Sequence, residues 1–157
     1  MSNVLLSGPP GSGKSALARQ IAATRPDSVL VDYTELWAAL SGAERDPATG
    51  AYPVRAGDDP RTGTVERLRR AAIRIAAGAG LPTVATNASG SPDIRSELLD
   101  LLGAGGETAT ERIVDPGIDA VRDQLARGMG VQPGELPAEC ERAIDRWYSH
   151  LPGGQLL

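Results

Sequence analysis

Apolar residues follow two alternating rhythms along this chain. Short apolar runs at Asn3–Ser7 (NVLLS), Ser28–Tyr33 (SVLVDY), Leu81–Asn87 (LPTVATN) and Thr110–Asp115 predict four strands. Between them the spacing turns helical. Ala16, Leu17 and Ile21 mark a helix over Lys14–Ala23. Val65, Leu68, Ala72, Ile75 and Ala76 share the apolar face expected of a helix over Thr64–Ala77. Thr34 offers an N-cap for a short helix through Leu40, and Ser91-Pro92-Asp93 opens another that runs to Leu102. Further helices are expected at Ile118–Arg127 and Pro137–Leu151, with a Gly-Gly tail beyond. Ser41–Gly63 is the longest irregular stretch, and Gly128–Leu136 reads as a short flexible segment.

Strand and helix alternate throughout. The pattern predicts an α/β fold, a parallel sheet of about four to five strands with helices on both faces, as one domain over residues 1–157. Ligands of such sheets sit at the carboxyl ends of the strands.

Composition narrows the chemistry. Aromatic content is 3% with no Phe, so the core must be aliphatic. Cys140 is the only cysteine and His150 the only histidine, which argues against disulfides, a cysteine-rich metal site or a histidine-based triad. No apolar run approaches the roughly 20 residues of a membrane span, and none resembles a secretory leader. A reducing cytoplasmic setting without membrane partners is the expectation. The net charge of −4 argues against a surface that coats nucleic acid.

The most informative stretch is Gly8-Pro9-Pro10-Gly11-Ser12-Gly13-Lys14-Ser15. It fits G-x-x-x-x-G-K-[ST] at every fixed position, follows a predicted strand and opens a predicted helix. Glycines let the backbone curl around a phosphate with its N–H groups inward, and the following helix adds its positive end. Lys14 supplies a mobile charge for the β- and γ-phosphates and Ser15 a hydroxyl for Mg²⁺; Ala16 completes the nucleotide-binding run. Lys14 is also the only lysine, every other basic side chain being arginine. A planar guanidinium cannot replace a compact ammonium at such a site. With its one lysine so placed, the chain cannot carry the N-K-x-D motif that reads guanine, which favours ATP. The third strand ends Val84-Ala85-Thr86-Asn87, without the carboxylate that mechanical ATPases place there.

Asp32 closes the second strand near the phosphate side. It is a candidate to take a proton from an attacking hydroxyl or to help hold the metal, the alternative being a plain helix cap. Tyr52 and Arg55, in the irregular 41–63 stretch, are candidates for contacting an acceptor by stacking and by charge, the alternative for Tyr52 being local packing. Arg67, Arg70 and Arg74 form a stripe that reads as a solvated helix face, with phosphate contact as the alternative. Trp147 and Tyr148 read as docking the last helix, and Cys140 as a packing residue.

Taken together, the strand–loop–helix start, "DYTELWAAL", "AYPVR", "IVDPG" and "AIDRWY" resemble a family of small P-loop kinases. It includes phage polynucleotide kinase domains, zeta-toxin-like kinases and short phage-type AAA family ATPases. The resemblance implies ATP and Mg²⁺ as cofactors and Asp32 as the base that activates an acceptor hydroxyl. It also implies that segment 128–136 is a short lid, with Arg122 and Arg127 as catalytic arginines. The expected activity is transfer of the γ-phosphate to an acceptor hydroxyl on a nucleic-acid 5′ end, a nucleoside or nucleotide, or a small metabolite, and the resemblance favours the first. The alternatives are a phage or prophage nucleotide-binding accessory factor and a zeta-toxin-like sugar-nucleotide kinase.

Overall fold

The computed structural model describes residues 2–48, 50, 52–53 and 59–150. Its elements run β1 (Asn3–Ser7), α1 (Lys14–Ala23), β2 (Val29–Val31), α2 (Tyr33–Ser41), α3 (Thr62–Gly78), β3 (Thr83–Asn87), α4 (Pro92–Leu102), β4 (Ala109–Ile113), α5 (Ile118–Met129) and α6 (Ala138–Ser149). The four strands among the described residues form one parallel sheet in the order β2-β3-β1-β4. The expected α/β architecture is therefore present. β1 and β3, flanked on both sides, are buried along their whole length.

Side chains alternate across the sheet and divide the core in two. Val4, Leu6 and Val84 pack with Ala18 of α1 on one face. Leu5, Val31 and Ala85 pack with Ile73 of α3 and Leu98 and Leu102 of α4 on the other. Two smaller clusters lie beside these. Trp37, Ala38 and Val65 join α2 to α3, and Val121, Leu125 and Ile144 join α5 to α6. Asn3 is fully buried, and its amide ties β1 to Leu102 O (2.6 Å) while its carbonyl accepts the Thr83 N–H (2.9 Å).

Several sequence expectations shift. In α1 it is Ala18 that is buried, while Ala16 is exposed. β2 ends at Val31, and Asp32, not Thr34, is the N-cap of α2, because its carboxylate accepts the Glu35 N–H. The face of α3 is rotated from the expected one. Val65, Arg69, Ile73 and Ala76 point inward, whereas Leu68 and Ile75 are 41% and 72% exposed. Counting Leu and Ile as inside and Arg as outside moves the stripe by about one position; the cause is Arg69, a charged residue placed at the core.

The segment read as flexible is largely built. Gly128 and Met129 finish α5, and Pro133–Glu135 form a 3₁₀ turn in which Gln132 and Glu135 cap one another. The last helix begins at Ala138 and ends at Ser149; its expected final residue, Leu151, lies outside the described residues.

Two neighbouring isoleucines test the rotated helix. Ile73→Ala should cost about 2–5 kcal/mol of unfolding free energy, and Ile75→Ala should stay within about 0.5 kcal/mol of the parent. Urea titration of both variants reads the difference; equal losses would contradict the observed face.

Candidate functional site

The phosphate loop joins the carboxyl end of β1 to α1. A Cβ on Gly8 would stand 2.4 Å from Val114 O and 2.6 Å from Ser12 Oγ, so only glycine fits there. Gly11 and Gly13 hold φ of +79° and +88°, which side chains resist. No side chain caps α1, so its first N–H groups remain free for an anion. Ser12 Oγ is buried without a hydrogen-bond partner, an orphan polar atom inside the loop. Lys14 is 9% exposed, and its Nζ donates to Pro9 O at 2.8 Å. Burial lowers its pKa to about 8; the Asp32 charge opposes that fall and the Arg69 charge adds to it.

Asp32 stands across the loop and is 2% exposed. Its Oδ1 accepts the Glu35 N–H at 3.0 Å. Its Oδ2 accepts two hydroxyls, from Ser15 of α1 at 2.7 Å and Thr86 of β3 at 2.8 Å. One carboxylate therefore caps α2 and also faces the phosphate loop.

The loop opens into a cavity of about 440 Å³. Gly11, Gly13, Lys14, Ser15 and Ala16 line it together with Tyr33, Thr34, Trp37, Tyr52 and Pro53. Tyr52, a candidate acceptor contact from the sequence, is among these lining residues. Its hydroxyl donates to Glu35 Oε2 at 2.9 Å, and the Arg45 guanidinium sits 4.4 Å from its ring centre. Glu35 also binds Arg19 and Arg45. Arg55 lies outside the described residues. Arg122 does not line this cavity: its Nε donates to Glu141 Oε2 of α6 at 3.1 Å. Arg127 is exposed and lines an adjoining hollow of about 510 Å³, which shares Tyr52 and Pro53 with the first. In the Arg67-Arg70-Arg74 stripe, Arg70 is held by Glu66 and Glu97. Cys140 lies 4.0 Å from Met129 Sδ with its pKa pushed up by burial, unsuited to nucleophilic work.

A scan of known families matches residues 4–117 to the AAA domain. The chain belongs to this family. Its fold is the P-loop kinase-like one. Similar solved structures include a chain of the Pnkp1/Rnl/Hen1 RNA repair complex, at 15% identity and TM-score 0.64, covering 98% of this chain and 45% of that one. A gluconokinase from Sinorhizobium meliloti 1021 matches at 15% identity and TM-score 0.55, over 99% of this chain and 78% of that one. The Deinococcus radiodurans tunicamycin resistance protein matches at 20% and TM-score 0.55, over 93% and 80%. At such identities the likeness is one of fold. The chain spans less than half the length of the RNA repair chains it matches. None of the curated proteins matches this sequence significantly. Among the described residues no helix is long and apolar enough to cross a membrane.

Proteins of this family generally bind ATP with Mg²⁺. The residues present suit both. The orphan Ser12 Oγ, the free first turn of α1 and Lys14 suit phosphate oxygens. Ser15 Oγ and Asp32 Oδ2, already adjacent, are the hard oxygen donors that Mg²⁺ takes together with phosphates and water.

Sequence reasoning missed Arg69 and Thr86. Arg69 is 3% exposed; it donates to Thr86 O at 2.8 Å and to Glu66 at 2.7 Å, while its Nε stays buried and unpartnered. It braces the end of β3 from behind, so that the Thr86 hydroxyl meets Asp32. The available signal was the spacing Val65–Arg69–Ile73, which places an arginine on a core stripe.

Because the Lys14 pKa is lowered to about 8, the unfolded chain binds more protons than the native one between that value and lysine's usual 10.5. Two outcomes follow. The contribution of Lys14 to native stability should rise with pH across that window, and nucleotide affinity should fall as pH climbs from about 7 to about 9 and the ammonium loses its proton. Titration calorimetry with ATP reads the second outcome. Lys14→Ala should bind weakly and abolish this slope.

Proposed function

We propose that this protein is an ATP-dependent phosphotransferase that moves the γ-phosphate to an acceptor hydroxyl. The observation that carries the reading is the placement of Asp32 Oδ2 against the hydroxyls of Ser15 and Thr86, both of which line the cavity that the phosphate loop opens into. The phosphate loop and Lys14 hold the nucleotide's phosphates, and Ser15 with Asp32 would hold Mg²⁺, which when bound would offset the charge of the phosphates. Asp32 accepts the proton of the acceptor hydroxyl as its oxygen attacks.

The family and the kinase neighbours support phosphoryl transfer over motor work, as does the uncharged carboxyl end of β3, Thr86-Asn87. Arg127, beside the second hollow, is the lid arginine that this reading favours for meeting the transferred phosphoryl group. Arg122 would first have to leave Glu141. That pairing favours a second reading, a nucleotide-dependent accessory factor of phage or prophage type with no transfer activity.

Asp32→Asn separates the two readings, because Asn caps helices about as well as Asp. It should leave folding intact while slowing transfer from γ-labelled ATP about 10²–10⁴-fold. The measurement is a rate across hydroxyl acceptors. Tight ATP binding with no transfer to any acceptor, and indifference to Asp32→Asn, would establish the accessory factor instead.

A further inference from the structure

We infer that Gln124 of α5 is a phosphate-contacting residue, its side-chain amide donating to the γ-phosphate of bound ATP. This rests on the nucleotide site and the phosphotransferase reading above, and it adds a side chain that neither the loop motif nor the resemblance assigns.

α5 lies directly against the phosphate loop. Gly11 is the point of contact. A Cβ there would stand 3.0 Å from Val121 O and 3.1 Å from Leu125 Cβ, so loop backbone and helix meet with no side chain between them. Val121 and Leu125 are buried and pack with Ile144 of α6, which fixes the helix in this place. Gln124 comes three residues after Val121 and one before Leu125, at the edge of the same contact. It is exposed, and with Leu125 it lines the cavity of about 440 Å³ that the loop opens into.

The other polar side chains of that cavity are mostly committed. Lys14 donates to Pro9 O, Ser15 and Thr86 donate to Asp32, Trp37 to Asp59 and Tyr52 to Glu35, and Tyr33 is engaged as well. Among the described lining residues, Thr34 and Gln124 are left with side-chain hydrogen-bonding groups unpaired. Thr34 belongs to the first turn of α2, whereas Gln124 comes from the helix that touches the loop itself. Its amide carries two N–H donors and no charge. Arg122 turns away to Glu141, and Arg127, one turn beyond Gln124, lines the adjoining hollow. The polar side chain that α5 places in the cavity is therefore a carboxamide.

The loop's N–H groups and the uncapped first turn of α1 suit the inner phosphates, and the γ-phosphate extends from them into the cavity. In the reaction, the acceptor's hydroxyl oxygen bonds to the γ-phosphorus and its proton passes to Asp32. The bond from phosphorus to the β,γ-bridging oxygen breaks, and ADP leaves with that electron pair. Charge stays on the other γ-oxygens throughout. Gln124 stabilises it by hydrogen bonding and gives up no proton. ADP has no group at that place, so the contact separates ATP from ADP.

Titration calorimetry of the full chain with Mg²⁺ and either ADP or a non-hydrolysable ATP analogue reads this contact without an acceptor. Gln124→Ala should weaken the analogue about tenfold or more and leave ADP affinity as in the parent. Gln124→Glu, similar in shape but negatively charged, should lose more of the analogue than Gln124→Ala does. Asp123→Ala, on an exposed neighbour that does not line the cavity, should change neither affinity. Equal losses for ADP and the analogue in Gln124→Ala would mean that the residue only supports the helix against the loop. No loss for either, or a Gln124→Glu loss no greater than that of Gln124→Ala, would place the side chain away from the phosphate. Each of these results would overturn the inference. Transfer from γ-labelled ATP to hydroxyl acceptors, run in parallel on the parent, keeps the two claims apart. Selective loss of the analogue with no transfer by the parent sinks the kinase reading and upholds the contact. Transfer by the parent with both affinities unchanged in Gln124→Ala sinks the contact alone.

Discussion

Three elements far apart in sequence meet at one carboxylate. Asp32 takes a hydroxyl from α1, a hydroxyl from β3 and a backbone N–H from the first turn of α2. Hydrogen bonds to a charged acceptor are each worth about 1.5–3 kcal/mol, and more is lost when one partner of a buried set is removed. At 2% exposure, Asp32 has no water to fall back on. The position of the phosphate loop relative to the cavity wall is therefore set by this group as much as by the sheet beneath it.

The supporting shell follows the same logic. Arg69 enters the core on α3 and fixes Thr86 from the backbone side. Its charge is balanced by Glu66. On the other side, Glu35 continues from the capped turn and gathers Arg19, Arg45 and Tyr52. The aromatic wall is thus tied to the helix that Asp32 starts. The phosphate loop and the aromatic lining of the cavity are two ends of one polar network, and Lys14 feels the charges of both Asp32 and Arg69.

How much of this was legible in the sequence depended on the range of the interaction. The phosphate loop was readable residue by residue, because its glycines answer to local constraints: no room for a Cβ at Gly8 and positive φ at Gly11 and Gly13. Strand and helix order was equally local. The face of α3 was not, because periodicity assigns arginine outward and isoleucine inward, and here Arg69 and Ile75 reverse that rule for the sake of Thr86 and solvent. Arg122 and Glu141 are far apart in sequence, and no pattern announces their pairing. At Asp32 local sequence offered Thr34 as the better cap, and only three-dimensional placement shows that Asp32 Oδ1 makes the cap while Oδ2 turns to Ser15 and Thr86.

The most direct test of Asp32 as the organising group is a double-mutant cycle on the transfer rate, with Asp32→Asn, Thr86→Val and the two combined. If Thr86 acts through Asp32, the double variant should be little slower than Asp32→Asn alone, with a coupling of about 0.5–3 kcal/mol. Losses that simply add would mean that the two residues act independently, and would contradict the account.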